Sequence, residues 1–184
     1  MTDVRLRRIR GSEIETLVRA RVDEAGTLAQ PGPAPNPDQI RTQLQERVAH
    51  SGGFFNGEIL LGIEVDGRLV GEIQARRPEN AMPPGVFELG IGLFDGSDRG
   101  KGIGSKAVAL LTKRLMDEEG AHRVQAGTDL ENVAMRTVLD HLGFGFEGVM
   151  RGFMPSPGGP RDYALYGITK VRYEEVRSTW TRIG

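Results

Sequence analysis

Apolar and polar residues alternate through Val4-Arg5-Leu6-Arg7-Arg8-Ile9, the period of a half-buried strand. The period then lengthens. Ile14, Leu17, Val18 and Val22 recur at helical spacing behind Gly11-Ser12, and Ser12 and Glu15 have the separation of a capping box. Residues 30–37 carry Pro31, Pro33, Pro35 and Pro37 and suit neither a helix nor a central strand. From Asp38 a second helix is expected, with Ile40, Leu44 and Val48 on one face, closed by Ser51-Gly52-Gly53. Residues 59–65 and 69–75 read as strands around Asp66-Gly67, a dipeptide that favours a tight hairpin. A loop over 76–85, with Pro78, Pro83 and Pro84, leads into Val86-Phe87-Glu88-Leu89-Gly90-Ile91-Gly92-Leu93-Phe94, which alternates again. Ile103, Ala107, Leu110, Leu111 and Leu115 then mark one face of a helix. A strand at 122–128, a helix from Asn132 to His141 ended by Gly143, and strands at 144–151 and 163–171 follow. The tail over 172–184, with Trp180, suits a short helix. Antiparallel strands first, one strand–helix–strand crossover in the middle and a hairpin-like end predict an α+β fold. It would be a single domain over 1–184, built on a mixed, largely antiparallel sheet flanked by helices.

The junction between the alternating run and its helix reads Arg99-Gly100-Lys101-Gly102-Ile103-Gly104. Glycine admits positive φ and lets a ligand approach the backbone. The first amides of a helix lack partners within it and together carry about half a positive charge. With Arg99, Lys101 and Lys106 beside them, the junction suits a phosphate or pyrophosphate. The Walker pattern is not met: Asp95 stands where its first glycine belongs, and Gly102 follows Lys101. Gly102-Ile103-Gly104-Ser105-Lys106-Ala107 satisfies the dinucleotide pattern G-x-G-x-x-A. That fingerprint also wants an acidic residue at the end of the next strand, whereas Glu118 and Glu119 fall at a helix end. A third pattern, R/Q-x-x-G-x-G/A, is met by Arg99, Gly102 and Gly104.

In that third pattern the chain resembles the GNAT acetyltransferases, and the likeness continues beyond the loop. Residues 86–119 are similar to the family's strand, loop and helix, and His122-Arg123-Val124-Gln125-Ala126-Gly127-Thr128 to its next strand. Glu131-Asn132, through Leu142-Gly143-Phe144 to Glu147-Gly148, resembles the segment E-N-x-x-A…L-G-F-x-x-E-G. Arg161-Asp162-Tyr163 with Leu165-Tyr166-Gly167-Ile168 resembles the closing strand. The most similar branch holds ribosomal-protein N-terminal, polyamine and antibiotic acetyltransferases. The resemblance implies the acyl-CoA N-acyltransferase fold, with acetyl-CoA as co-substrate and direct transfer of its acetyl group to an amine. It implies that Arg99, Gly100, Lys101, Gly102, Ile103, Gly104 and Ser105 hold the pyrophosphate, and that Asn132 contacts the cofactor, a position that also suits a plain N-cap. Gly90 and Gly92, mid-strand, point to a bulge of the family's kind, with the backbone of Gly92, Leu93 and Phe94 turned to the acetyl carbonyl and pantetheine.

An ammonium cannot attack a thioester, so the reaction needs a base, direct or through water. Glu88 shares its strand face with Gly90 and Gly92 and is the expected base or amine-binding carboxylate. Glu72 lies on the preceding strand, and Asp162, which matches a recurrent aspartate of this branch, is the second candidate. The expected proton donor is where the pattern breaks. Relatives carry a tyrosine seven residues after the asparagine, or a serine three after it; here these are Leu139 and Met135. Tyr163, Tyr166 or water would then serve. The break also keeps open a non-catalytic acyl-CoA-binding or sensor module on the same fold.

Composition narrows the partners. The chain has 184 residues, enough to bury roughly 70% of its unfolded surface. Its 24 basic and 25 acidic residues nearly cancel, so no field directs it to nucleic acid or an anionic membrane. With no cysteine there is no disulfide and no thiolate nucleophile, and His50, His122 and His141 lack ligand spacing, so no metal is expected. The N-terminal arginines precede no apolar core and no apolar run is long enough to span a bilayer, which suits a cytoplasmic protein. The acceptor would be the amine of a small molecule (polyamine, aminoglycoside-like antibiotic, amino acid) or a protein N-terminus. The lack of a charged run favours the small molecule. Whether the chain forms a homodimer is left open.

Overall fold

Asp66 and Gly67 take φ of 49° and 78°, the left-handed pair that a two-residue hairpin turn needs. With that turn β3 (Glu58–Val65) folds back on β4 (Arg68–Arg76), Val65 facing Arg68, and one register shift between Ile63 and Glu64. In this computed structural model, which describes residues 3–27, 36–77, 83–156 and 158–182, that hairpin belongs to an eight-stranded sheet. β1 (Val4–Arg7) and the short β2 (Phe54–Phe55) both pair with β3. On the other side of β4 come β5 (Val86–Leu93), β6 (Arg123–Asp129), β8 (Arg161–Thr169) and, at the edge, β7 (Gly145–Met154). Neighbouring strands along that path are antiparallel except β5 and β6. These two are joined by α3 (Ile103–Asp117) in the expected strand–helix–strand crossover.

The helices divide between the two faces. α3, α4 (Val133–His141) and α5 (Lys170–Val176) cover one face, where Ile63, Ile73, Phe87, Leu89, Val124 and Tyr166 meet Ile103, Leu111, Leu115, Leu139 and Tyr173. Leu111 is fully buried, and its truncation to alanine would cost about 2–5 kcal/mol. α1 (Ile14–Thr27) and α2 (Pro37–Ala49) cover the other face over β3 and β4. There Leu17, Val18, Leu44 and Val48 pack on Leu60 and Leu69, with Ile14, Val22 and Ile40 at the margin.

Several boundaries differ from expectation. The first helix is preceded by a 3-10 turn over Gly11–Glu13, and the carboxylate that caps it is Glu13, which accepts the Arg10 amide at 2.8 Å. Glu15 instead pairs with Arg41 of α2. Leu110 is 41% exposed and lies off the buried stripe, because residues four apart (Ile103, Ala107, Leu111, Leu115) already fill it. The last strand stops at Thr169, whose side chain accepts the Arg172 amide and starts α5, so residues 170–171 are helical. Trp180 packs on this end, edge to face with Tyr173. Pro31, Pro33, Pro35 and Pro78 lie outside the described residues.

Candidate active site

The site follows from where β5 and β6 stop pairing. Their parallel ladder runs from Val86 opposite Arg123 to Leu89 opposite Ala126. Beyond it, Gly90 to Leu93 pair only with β4, and Gly127 to Asp129 only with β8, so a wedge opens between the strands. No register shift interrupts β5 against β4, so the expected bulge at Gly90 and Gly92 is replaced by this divergence. Among the three backbone units expected to serve, Phe94 donates its amide to Val70 O at 2.9 Å. Successive peptide units of a strand point to opposite sides, so the Gly92 unit also faces β4, whereas Leu93 N–H faces the wedge.

Helix N-termini stand at the carboxyl ends of both strands. Gly102 begins α3 in a left-handed conformation, φ 76°, with no side-chain cap and no acidic residue in the first turn. The first intrahelical bond is Lys106 N to Gly102 O, 3.0 Å, so the amides of Ile103, Gly104 and Ser105 have no acceptor in the helix. Gly100 also has positive φ, 72°. Gly104 does not, and a side-chain carbon there would meet no other group within 4 Å; the same is true of Gly92. Neither contacts nor backbone conformation within the protein require glycine at these two positions, and a side chain at either would enter open space. Arg99 and Lys101 are exposed beside it. The loop is anchored by Asp98, 3% exposed, which takes both guanidinium arms of Arg68 at 2.8 and 3.1 Å. Asp95 caps the turn before it, and the Ser97 amide holds its carboxyl below the usual range. Bare amides, two left-handed glycines and exposed cations fit a pyrophosphate such as that of coenzyme A.

At the second N-terminus, Asn132 caps α4, its Oδ1 accepting the Met135 amide at 3.1 Å. Leu139 is fully buried and Met135 packs against the same core, so α4 presents no proton donor at either position. Tyr166 is 1% exposed, with its hydroxyl accepting from Arg136 Nε at 3.4 Å. Tyr163 lies on the opposite face with Met150, over Gly127 at the mouth of the wedge.

The other polar surface beside the wedge is the sheet face toward α1 and α2. Glu72, Gln74 and Arg76 of β4 stand opposite Gly92, Gly90 and Glu88 of β5 and so share their face. Glu88 pairs with Arg76 at 3.0 Å. Glu72, 7% exposed, is held by Arg21 of α1. The register brings Glu72 directly across from Gly92, a relation sequence alone does not give. Glu88 is four residues along the strand from Gly92, about 13 Å at 3.3 Å per residue. Asp162 is turned elsewhere: it accepts the Gly152 amide at 2.8 Å and pairs with Arg151, tying the β7–β8 hairpin. His50 stacks on Phe55, and among the described residues no group of histidine or carboxylate side chains is placed to hold a metal. No described helix is long and apolar enough to cross a membrane.

A profile of the Acetyltransferase (GNAT) domain matches residues 3–145. A protein named Probable N-acetyltransferase YjcK, of Bacillus subtilis, is 29% identical over 128 residues, covering 69% of this chain and 67% of that one. A kanamycin resistance protein of Rhizobium radiobacter is 30% identical over 100 residues, 54% of this chain and 87% of that one. Among solved structures, Mycobacterium smegmatis RimJ in complex with CoA-disulfide superposes with a TM-score of 0.75 at 23% identity, over 96% of this chain and 86% of that one. The fingerprint at Arg99, Gly102 and Gly104, the wedge beside it and the match over most of the chain lead to one family: this chain belongs to the GNAT acetyltransferases and is an acetyl-CoA-dependent N-acetyltransferase.

Proposed function

We propose that residues 99–105 bind the pyrophosphate of acetyl-CoA, that the Leu93 amide polarises the thioester carbonyl, and that Glu88 takes the proton of the attacking amine. The observation that carries this reading is the pair Gly92, on the part of β5 that has left β6, and Gly104, in the first turn of α3: at neither would a side chain meet a neighbour, and neither has a positive φ that calls for glycine. In the reaction the amine nitrogen bonds to the acetyl carbon, the carbon–sulfur bond breaks and the thiolate leaves. Leu93 N–H stabilises the oxygen that becomes anionic in between. Glu88 is too far along β5 to touch an amine at Gly92, so its part is played through water or on an acceptor lying along the strand. A thiol of pKa about 8.5 leaves as its anion without a strong acid, which accommodates Leu139 and Met135. Tyr163, at the mouth of the wedge, is the phenol on the acceptor side.

The acceptor in this reading is the primary amine of a small molecule or a protein N-terminus, and the setting the cytoplasm. Support for a small molecule comes from the likeness to a kanamycin resistance protein and from the absence of a charged run in the sequence. The test is calorimetry with coenzyme A followed by thiol release on a panel of amines. Micromolar binding and acceptor-dependent release are expected; no affinity for coenzyme A would sink the proposal.

A further inference from the structure

Gln74 and Arg47 form a device on the sheet face toward α1 and α2 that the transfer chemistry leaves unexplained. Arg47, on α2, donates from Nη2 to Gln74 Oε1 at 2.6 Å and also pairs with Glu58. A guanidinium only donates, so this bond fixes which end of the Gln74 amide points where. The oxygen faces Arg47, and Nε2 is turned over β5, 3.0 Å from the place a β-carbon on Gly90 would take. Glycine at 90 thus has a reason that Gly92 lacks: it makes room for the Gln74 amide. Arg47 Nε is buried with no acceptor. A buried donor left unmade is destabilising, so Arg47 carries a penalty at a position where its head group pairs with Glu58 and orients Gln74.

The charges around this amide are already matched. Glu58, Glu72 and Glu88 each face an arginine, Arg47, Arg21 and Arg76. Among the described residues this face therefore offers a polycation no cluster of unpaired carboxylates, and its directed polar group is a neutral N–H donor. Gly90 is two residues from Gly92, about 7 Å along the strand.

We infer that Gln74, held by Arg47, selects the acceptor by donating a hydrogen bond to an uncharged oxygen two to four bonds from the reactive amine. This deepens the proposed acetyl transfer and rests on it. Amino sugars and the first carbonyl of a peptide N-terminus carry such an oxygen; linear polyamines do not. Gln74 is here a specificity residue and Arg47 a positioning residue.

The test compares wild type, Q74L, Q74E, R47M and the double variant Q74L/R47M. Coenzyme A affinity and melting temperature are measured first. Initial rates of thiol release follow, with glucosamine, an alanyl-seryl peptide, spermidine and butylamine. In wild type the oxygen-bearing amines are preferred, and the better of glucosamine and the peptide tells which source supplies the oxygen. Q74L lowers kcat/KM for them about tenfold, mainly through KM, leaving butylamine and coenzyme A affinity unchanged. R47M gives the same selectivity loss, and the double variant adds nothing to it. Q74E shifts preference toward spermidine. Equal losses on butylamine and on the oxygen-bearing amines, or a wild-type preference for spermidine, would overturn the assignment while acetyl transfer stands. Failure to bind coenzyme A would instead overturn acetyl transfer, and this inference with it.

Discussion

Glycine usually weakens a strand or a helix by about 0.5–1 kcal/mol relative to alanine, so each one kept inside an element has a local reason or an external one. Gly90 makes room for the Gln74 amide, Gly71 approaches the Gly92 carbonyl, and Gly167 lies under the Arg123–Glu147 ion pair. Gly92 and Gly104 have no such neighbour. The two carboxylates near them can be told apart in the same way, by what surrounds each. Glu72 is buried and held by Arg21, and removing its charge weakens that pair. E72Q is expected to lower stability by about 1–3 kcal/mol, measured by urea unfolding. Glu88 is half-buried with an exposed partner, so E88Q should leave stability within about 0.5 kcal/mol of wild type and lower kcat by about a hundredfold. Stopped kinetics at saturating acetyl-CoA read this directly. Wild-type kcat in E88Q combined with a lost kcat in E72Q would move the base to Glu72.

At the scale of elements, α3 does two jobs with opposite ends. Its buried stripe fixes it to the sheet, and its N-terminus carries the bare amides. G104V fills the bare surface without strain, so coenzyme A affinity should fall more than tenfold while the melting temperature stays within a few degrees. G102A forces alanine into a left-handed turn and should cost about 1–2 kcal/mol of stability as well as affinity. Calorimetry and thermal unfolding separate the two. The loop, the Asp66-Gly67 hairpin and α3 were legible in the sequence because their signals are local: turn residues and a period over a few positions. The wedge was not, since it depends on where β6 ends its pairing with β5, at Leu89 opposite Ala126, between residues far apart in the chain. Nor was the anchor Asp98, whose partner Arg68 is 30 residues away. The start of α1 was misread for a smaller reason: Glu13 and Glu15 both stand close to a polar residue at a suitable spacing, and the choice of Glu13 is made by the 3-10 turn that precedes the helix.

Across the whole molecule, the C-terminal turns are stitched to the far end of α3 through Asp117. Its carboxyl accepts from Lys113 at 2.9 Å and from the Tyr173 hydroxyl at 3.0 Å, and pairs with Lys170 at 3.3 Å. Lys113 foremost, then Tyr173 and Lys170, lower its pKa from 3.8 to about 2 against the opposing effect of burial. A carboxyl whose folded pKa is depressed stabilises the fold above its unfolded pKa and loses that contribution as pH falls through the folded one. Asp117 should therefore contribute about 1–2 kcal/mol at neutral pH, allowing for its partial exposure, with the loss falling between pH 4 and 2. The stability gap between wild type and D117N, followed by urea unfolding, is expected to close over that interval. A gap independent of pH would show that the cluster acts through packing alone.

The sheet order has a consequence for synthesis. β7 is made before β8, yet β8 lies between β7 and β6. A chain emerging N-terminus first therefore offers the open flank of β6 to the wrong strand until residues 161–169 arrive. Correct assembly asks β7 to wait, and its irregular register at Gly148 and Gly152 makes it a poor partner for premature docking. Gly127 to Asp129 of β6, which form the far wall of the wedge, thus gain their own pairing partner only when the last strand has been threaded into place.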